Sequence, residues 1–492
     1  MTRNRIILVT IGIMLSLFLA SMESTVVATA MPTIVGQLGG LEHFSWVFSA
    51  YMLASTTTVP LYGKLSDLYG RRKLYIIAMM LFLIGCVMSG QANSMNQLIF
   101  ARAMQGIGAG GIMPLAFIMI GEMFSLEQRT KMQGVFSGVW GVSSIVGPLL
   151  GGFLVDQLSW RWVFYVNLIP GLLAAGFVAF AWRDQIHSQT KPSVDYAGAG
   201  LLMSAVVTLL LGLMDSGTST GLLLIAASII LFVLLLWVES RAADPILPLH
   251  LFRERLFAVT IAHGTLTGWA MFGSISFVPL FVQAVLGTSA TRAGITIAPM
   301  LLGWVLSSIV GTRLLLRVGY RNLVMTGTIA LMTGAFFMSR IGVDTSQTSL
   351  MIFVALMGIG MGLSIPPFLI AVQTSVERRY LGTATSTMQF SRSIGGTLGV
   401  SVMGAALSLR LASNLSASGL DPSLVSQLLE PSSGSEALIN TGVRVAMSNA
   451  IDLVFMIAFT AAALSLVIAF LAPRKELKEK AAEGESVLVS AD

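Results

Sequence analysis

The sequence predicts an all-α polytopic membrane protein of fourteen helices, two parallel six-helix repeats with two further helices inserted between them. Three observations lead there. Hydrophobic residues make up 55% of the 492 positions and charged residues only 11%, against roughly 25% charged in a soluble globular domain. Apolar stretches of about 20 residues, the length that crosses the hydrocarbon core, recur from end to end. The glycine pattern of the fourth and fifth stretches then returns at an offset near 250 positions.

Taken in order, the apolar stretches bounded by charged or turn-rich breaks are 7–30, 45–62, 74–92, 97–121, 132–155, 162–182, 195–214, 220–238, 256–286, 293–314, 322–340, 349–372, 381–409 and 447–471. The first follows Arg3 and Arg5 as a secretory signal would, but its run reaches past Glu23 to Pro32 with no short h-region, so it reads as the first helix. An even number of crossings puts both termini on one side. Loops on that side carry twenty-two arginines and lysines and the opposite loops five, which predicts a multi-pass protein of a bacterial-type inner membrane with both termini cytoplasmic. The same bias accounts for the net charge of +6 without nucleic acid. Two arginines, Arg102 and Arg392, are left within the bilayer.

The repeat pairs Gly106, Gly108, Gly110 and Pro114 of the fourth helix with Gly358, Gly360, Gly362 and Pro366 of the twelfth. It pairs Gly134, Gly147 and Gly151 of the fifth helix with Gly382, Gly395 and Gly399 of the thirteenth. The segment from Gly63 to Arg72 has a degraded echo from Gly311 to Arg321. This divides the chain into an N-terminal bundle (1–182), an inserted helix pair with its linkers (183–255), a C-terminal bundle (256–472) with an outer loop (410–445), and a charged tail (473–492). Parallel six-helix repeats are a transporter architecture. The ionisable groups are not repeated: Arg102 falls opposite Val354, Arg392 opposite Ser144, and Glu23 near Ala270 or Met271. An unpaired charge in hydrocarbon costs several kcal/mol, so these asymmetric groups point to function.

Several motifs together resemble the major facilitator superfamily, in particular its fourteen-helix drug:proton antiporters. They are the run Gly63-Lys64-Leu65-Ser66-Asp67-Leu68-Tyr69-Gly70-Arg71-Arg72-Lys73; Leu98, Arg102, Gln105 and Gly106; Gly141, Gly147, Pro148, Gly151 and Gly152; Glu23 within Leu19–Val27; and Trp160-Arg161-Trp162 with Asn167 and Pro170. Glu23 stands where that family usually has aspartate. The resemblance implies a cytoplasmic gate latch at Gly63, Asp67, Gly70, Arg71 and Arg72. It also implies that a bend at Gly147, Pro148, Gly151 and Gly152 belongs to export, and that a proton gradient drives transport.

The residues themselves support a plainer reading beside each of these. Asp67 and Arg71, four apart, face one another on a helical turn, with Gly63 and Gly70 permitting tight turns at either end; the segment is either a latch or a positive-inside anchor. Gly147 and Gly151 let a neighbouring backbone approach, and Pro148 frees a carbonyl, which close packing alone also explains. Glu23 lies about 17 residues into its helix and Arg102 about five residues below the outer end of its own, so both sit at comparable depth. A carboxylate there beside a guanidinium can couple transport to protons, or form a static ion pair. Arg392 has three readings: it reaches Glu23, it binds an anionic substrate group, or it satisfies backbone carbonyls. Gln389, Trp140 and Met271 are further substrate or charge-pair candidates. His263 is a lone intramembrane histidine, a relay or a group satisfied by one hydrogen bond. Asp421, Pro422 and the leucines after them read as a short amphipathic helix in the outer loop.

Chemistry of other kinds is excluded by what is missing. The single cysteine, Cys86, permits neither an intrachain disulfide nor a cysteine metal cluster. No H-E-x-x-H and no phosphate-binding G-x-x-x-x-G-K-[ST] occurs. The expectation is therefore a monomeric, proton-coupled exporter of small amphipathic organic compounds, with protons and the lipid bilayer as its other partners and no metal or other cofactor. A dedicated exporter of one lipid, antibiotic or anionic metabolite is the alternative, and a membrane-embedded enzyme a remote one.

Overall fold

The computed structural model describes residues 2–38, 44–184, 195–214, 218–242, 245, 247, 249–288, 290–417 and 441–474. Its helices are α1 (Arg3–Leu38), α2 (Phe44–Tyr69), α3 (Arg71–Gly90), α4 (Met95–Met123), α5 (Leu126–Gln157), α6 (Trp162–Tyr165), α7 (Leu168–Ala181), α8 (Tyr196–Met214), α9 (Ser219–Glu239), α10 (Arg255–Leu280), α11 (Ala290–Val318), α12 (Tyr320–Met338), α13 (Gln347–Ser375), α14 (Leu381–Ala417) and α15 (Thr441–Phe470). Every predicted span falls on helix. The sixth is split into α6 and α7, and the ninth is continued by one π turn, Phe281–Val285. Among the described residues, ten spans are long and apolar enough to cross a membrane. The amphipathic helix expected after Asp421, and the tail beyond residue 474, lie outside the described residues.

Helix ends follow local chemistry. Ser94, Thr218 and Ser346 cap α4, α9 and α13 by accepting the third backbone N–H that follows, and Ser125 and Gln128 form a capping box at α5. Many buried hydroxyls along the helices turn back on carbonyls three or four residues earlier, as Ser16, Thr267, Ser274 and Ser364 do, and so are satisfied within their own helix. Several helices outrun their hydropathy windows, because the hydrogen-bond ladder continues where charge begins. The consequence is largest at α2. Gly63 is helical rather than at a turn, and of the two glycines only Gly70, with φ +93°, takes a conformation that favours glycine. Gly319, with φ +81°, repeats it ahead of α12.

Each half has its own core. In the first, Leu17, Val26, Phe82, Leu98, Ile112 and Phe164 are fully buried together; in the second, Val278, Met300, Leu331, Val354, Met357 and Phe455. Glycines set the spacing in both. A Cβ at Gly106 or Gly110 would strike α2 and one at Gly108 would strike α3; a Cβ at Gly358 or Gly362 would strike α11 and one at Gly360 α12. The fourth and twelfth predicted helices are thus inserted between equivalent neighbours, as the repeat requires.

The halves meet along α2 against α14 and α5 against α11. The inserted pair is joined to both halves through α8. Leu202, Val206 and Leu210 of α8 pack with Val59 of α2 and Phe390 of α14, so α8 lies across the seam between the halves. Both ends of the described chain lie on one face. Tyr75 near the start of α3 donates to Gly12 O of α1, the end of α2 meets the start of α14, and Tyr320 at the start of α12 donates to Pro473 O.

Candidate functional site

Four elements converge on Glu23. Arg102 of α4 donates from Nη1 to Glu23 Oε1 at 2.5 Å and to Gln105 Oε1 at 2.7 Å, and its Nε reaches Val47 O of α2 at 3.3 Å. Asn167, in the break between α6 and α7, donates from Nδ2 to Glu23 Oε2 at 3.0 Å. The Tyr51 ring lies 4.2 Å below the guanidinium carbon. Glu23 and Arg102 are 0% and 1% exposed, so the pair is isolated from solvent and both carboxylate oxygens are engaged. Such a pair gains strong attraction from its apolar surroundings and suffers a desolvation cost of several kcal/mol per ion. Adding a proton to Glu23 would cancel one charge and strand the other, which is how such a site can bias one conformation against another. The equal-depth argument from sequence paired Glu23 with Arg102; it did not foresee the bonds from Asn167 and to Gln105, or Val47 O and Tyr51, which come from α2.

The segment from Gly63 to Arg72 joins the halves. Asp67 accepts from Gly382 N at 3.1 Å, Thr383 N at 2.9 Å and Thr383 Oγ1 at 2.8 Å, so its carboxylate sits on the N-terminal turn of α14, where free amides and the helix dipole favour an anion. Arg71 pairs with Asp67 at 2.5 Å and with Glu122 at the end of α4 at 2.9 Å. Gly63 and Gly382 allow the contact: a Cβ on Gly63 would collide with Ser386, and one on Gly382 with Asp67 and Gly63 O. Asp184, just after α7, caps α3 by accepting from Arg71 N at 2.7 Å and Arg72 N at 3.1 Å, and it crowds Gly70. Glu122 and Asp184 were missed by sequence reasoning. The signal available was their place, each an acid immediately beyond a span on the face where basic residues gather.

In α5, which continues as helix through Pro148, a Cβ at Gly147 would fall on Thr25 Oγ1 of α1, two residues from Glu23. Gly151 is buried, whereas a Cβ at Gly152 would meet nothing, so Gly152 is not a close-approach glycine. On the same helix Gly141 faces Val305 of α11, and Trp140 lies 6.2 Å from Trp304 of that helix between ring centroids.

The remaining candidates separate. Arg392 does not reach Glu23, whose oxygens are taken; it donates from Nη2 to Gln389 Oε1 at 2.6 Å. Gln389 in turn donates to Met113 Sδ of α4 at 3.6 Å, across the boundary between the halves. Met271 is 2% exposed within the second core, where it lies with Ala270 and Val354, the residues that the repeat sets opposite the ion pair of the first half. His263 is buried against Phe368 with Nε2 2.9 Å from Thr328 Oγ1. Among the described residues no group of three or more metal-ligating side chains occurs.

A sequence profile of the Major Facilitator Superfamily matches residues 13–400. The multidrug transporter protein MdtP of Bacillus subtilis is 40% identical over 414 residues, 83% of this chain and 76% of that protein. Multidrug resistance protein 3 of the same organism is 38% identical over 404 residues, 80% of this chain and 78% of that protein. Among solved structures, the human organic anion transporter MFSD10 superposes with a TM-score of 0.64 at 14% identity, covering 94% of this chain and all of that one. The proton:xylose symporter XylE gives 0.62 at 14% identity, covering 96% and 97%. At such identities these two speak for the fold alone. Two bundles with repeated glycine packing, a buried charge site in one of them and a profile match over most of the length agree: the chain is a multi-pass membrane transporter, not an enzyme, and belongs to the major facilitator superfamily.

Proposed function

We propose that the protein exports amphipathic organic compounds across a bacterial-type cytoplasmic membrane in exchange for protons, by alternating access of its two halves. The observation that carries this reading is Glu23, a carboxylate buried at membrane depth, held by Arg102 and Asn167 in one half and without a counterpart in the other. A proton taken up at Glu23 releases Arg102 to rearrange, and the energy comes from the proton gradient with no cofactor. The names of the two Bacillus relatives, multidrug transporter and multidrug resistance protein, support a broad range of small organic substrates. Orientation rests on the arginine and lysine count, which sets both termini in the cytoplasm. Asp67 on α14 then latches the cytoplasmic side, so substrate leaves outward while the latch is closed. Each chain holds both repeats, and a monomer is the working unit.

The test uses proteoliposomes under an imposed pH gradient and a fluorescent lipophilic cation. Wild type accumulates the cation, and Glu23→Gln, which keeps the shape of the protonated acid, binds it without gradient-driven accumulation. Accumulation by Glu23→Gln at the wild-type rate would remove Glu23 from coupling. A wild type that moves no probe in either direction, in spite of binding it, would remove antiport.

A further inference from the structure

Arg392 stands out once its neighbours are known. In α14, Phe390 and Ile394 are four apart and share a face, and that face packs on α8, which lies across the α2–α14 seam. Gln389 and Arg392, three apart, lie on the opposite face, and Gln389 contacts Met113 of α4 in the other half. Arg392 therefore lies away from α8, on the side of α14 that packs on Gly268 of α10, and its guanidinium reaches Gln389, the residue that touches the other half. Among the described residues it has no carboxylate within ion-pair distance and its hydrogen-bond partner is the neutral Gln389 oxygen. Two of its three sequence readings thus lose their partners here: Glu23 is held elsewhere, and no backbone carbonyl receives the guanidinium. A partly buried cation at membrane depth with a single neutral acceptor has unused donors, and a planar guanidinium is matched best by carboxylate, sulfonate or phosphate oxygens.

We infer that Arg392, oriented by Gln389, is the subsite that receives an anionic or strongly accepting group of the transported compound. The inference rests on the export reading above and narrows its substrate class: amphipathic compounds whose apolar body carries a carboxylate or similar group are favoured over simple lipophilic cations. Glu23 and Arg392 then divide the work, the first half handling the proton and the second the substrate head. Gln389 is a positioning residue, since it acts through the arginine.

The test compares a rhodamine methyl ester with its free carboxylic acid, two probes with one ring system, in proteoliposomes under a pH gradient. Wild type transports the acid with the lower KM. Arg392→Gln raises the KM of the acid about ten- to hundredfold, the span expected for losing hydrogen bonds to a charged group, and leaves the KM of the ester within about threefold. Arg392→Lys restores part of the preference, and Gln389→Ala raises the acid KM by a smaller factor with kcat kept. Transport of the ester by Arg392→Gln shows that the variant is folded; if it is inactive toward both probes, the Gln389→Ala and Arg392→Lys comparison decides. An acid KM unchanged in Gln389→Ala and Arg392→Lys, or no preference for the acid in wild type, overturns the inference while gradient-driven ester export leaves the transporter reading intact. Loss of proton coupling for both probes in Arg392→Gln would also overturn it, placing Arg392 with Glu23 instead.

Discussion

Where the first half buries Glu23 against Arg102 and Asn167, the second places Ala270, Met271 and Val354 in an apolar core. Where Gly106, Gly108 and Gly110 let α4 nest between α2 and α3, Gly358, Gly360 and Gly362 do the same for α13 between α11 and α12. Gly70 and Gly319 both turn the chain with positive φ, yet Asp67 has no acidic counterpart at Leu316, and Tyr320 and Arg321 bond instead to Pro473 O and Phe470 O at the end of α15. The features that shape the backbone are duplicated and the charges are not. Packing must be solved in each half, because helices in lipid associate through close contact and internal hydrogen bonds. A switch is needed once, since a second buried pair would add its desolvation cost without adding a direction.

The largest effect that could break this comparison is at Arg102. Arg102→Leu leaves Glu23 buried without its cation, a cost of about 3–5 kcal/mol for an uncompensated charge; gradient-driven transport and thermal stability in detergent both fall steeply. The mirror change, Val354→Ala, costs about 2 kcal/mol of packing and leaves transport within about fivefold. If the two variants are equally damaging, the charge pair is structural.

Next in size is the latch. Asp67→Asn keeps the shape of the side chain and gives up the charge that three donors of α14 share, so about 1.5–3 kcal/mol of the closed contact is lost. A cysteine at Ser386, in a Cys86→Ser background, becomes alkylated at least about tenfold faster from the side of the termini. Unchanged alkylation would return Asp67 and its arginines to the role of a positive-inside anchor.

Smaller again is the pair of glycines in α5 and α14. Gly147→Ala puts a methyl on the Thr25 side chain and costs about 1–3 kcal/mol through overpacking, and Thr25→Ala relieves most of it. Gly395→Ala puts its methyl on the backbone oxygen of Thr265, which no side-chain substitution can move. Transport measured on the two double variants, Gly147→Ala/Thr25→Ala and Gly395→Ala/Thr265→Ala, separates them: the first recovers and the second does not.

How far the sequence was legible follows from the physics of each feature. Helices, their order and the repeat come from period and composition, which survive any detail of packing. The Glu23–Arg102 contact was readable because rise per residue fixes depth, and two opposite charges at one depth in hydrocarbon have little choice of partner. The contact between α2 and α14 was half readable: Asp67 and Arg71 are neighbours in sequence, whereas Thr383 lies 316 positions from Asp67 and only the packing of the two halves brings it there. The burial of Met271 in the second core was not legible, because an apolar side chain carries no sign of which face it lines. The reach of α8 over the seam was invisible for the same reason, its leucines and valines being as suited to lipid as to α2 and α14.

The smallest effect concerns His263, the one titratable histidine set among the helices of the second half. Thr328 Oγ1 gives its single proton to Val324 O at 2.7 Å, so in the contact with His263 it can only accept, and Nε2 of the ring must be the donor. That fixes Nε2 as the protonated nitrogen of a ring already bonded and buried edge-on to Phe368. His263→Gln reproduces the Nε2 donor and is expected to be neutral. His263→Leu removes one neutral hydrogen bond, costing about 1 kcal/mol of stability, while Thr328 remains satisfied by its own helix. Neither is expected to change the pH profile of transport, since the polar contact of the ring is to a hydroxyl and not to a carboxylate. A flattened profile in His263→Gln would mean that the second half carries a coupling group after all, and the division of labour between the halves would have to be redrawn around it.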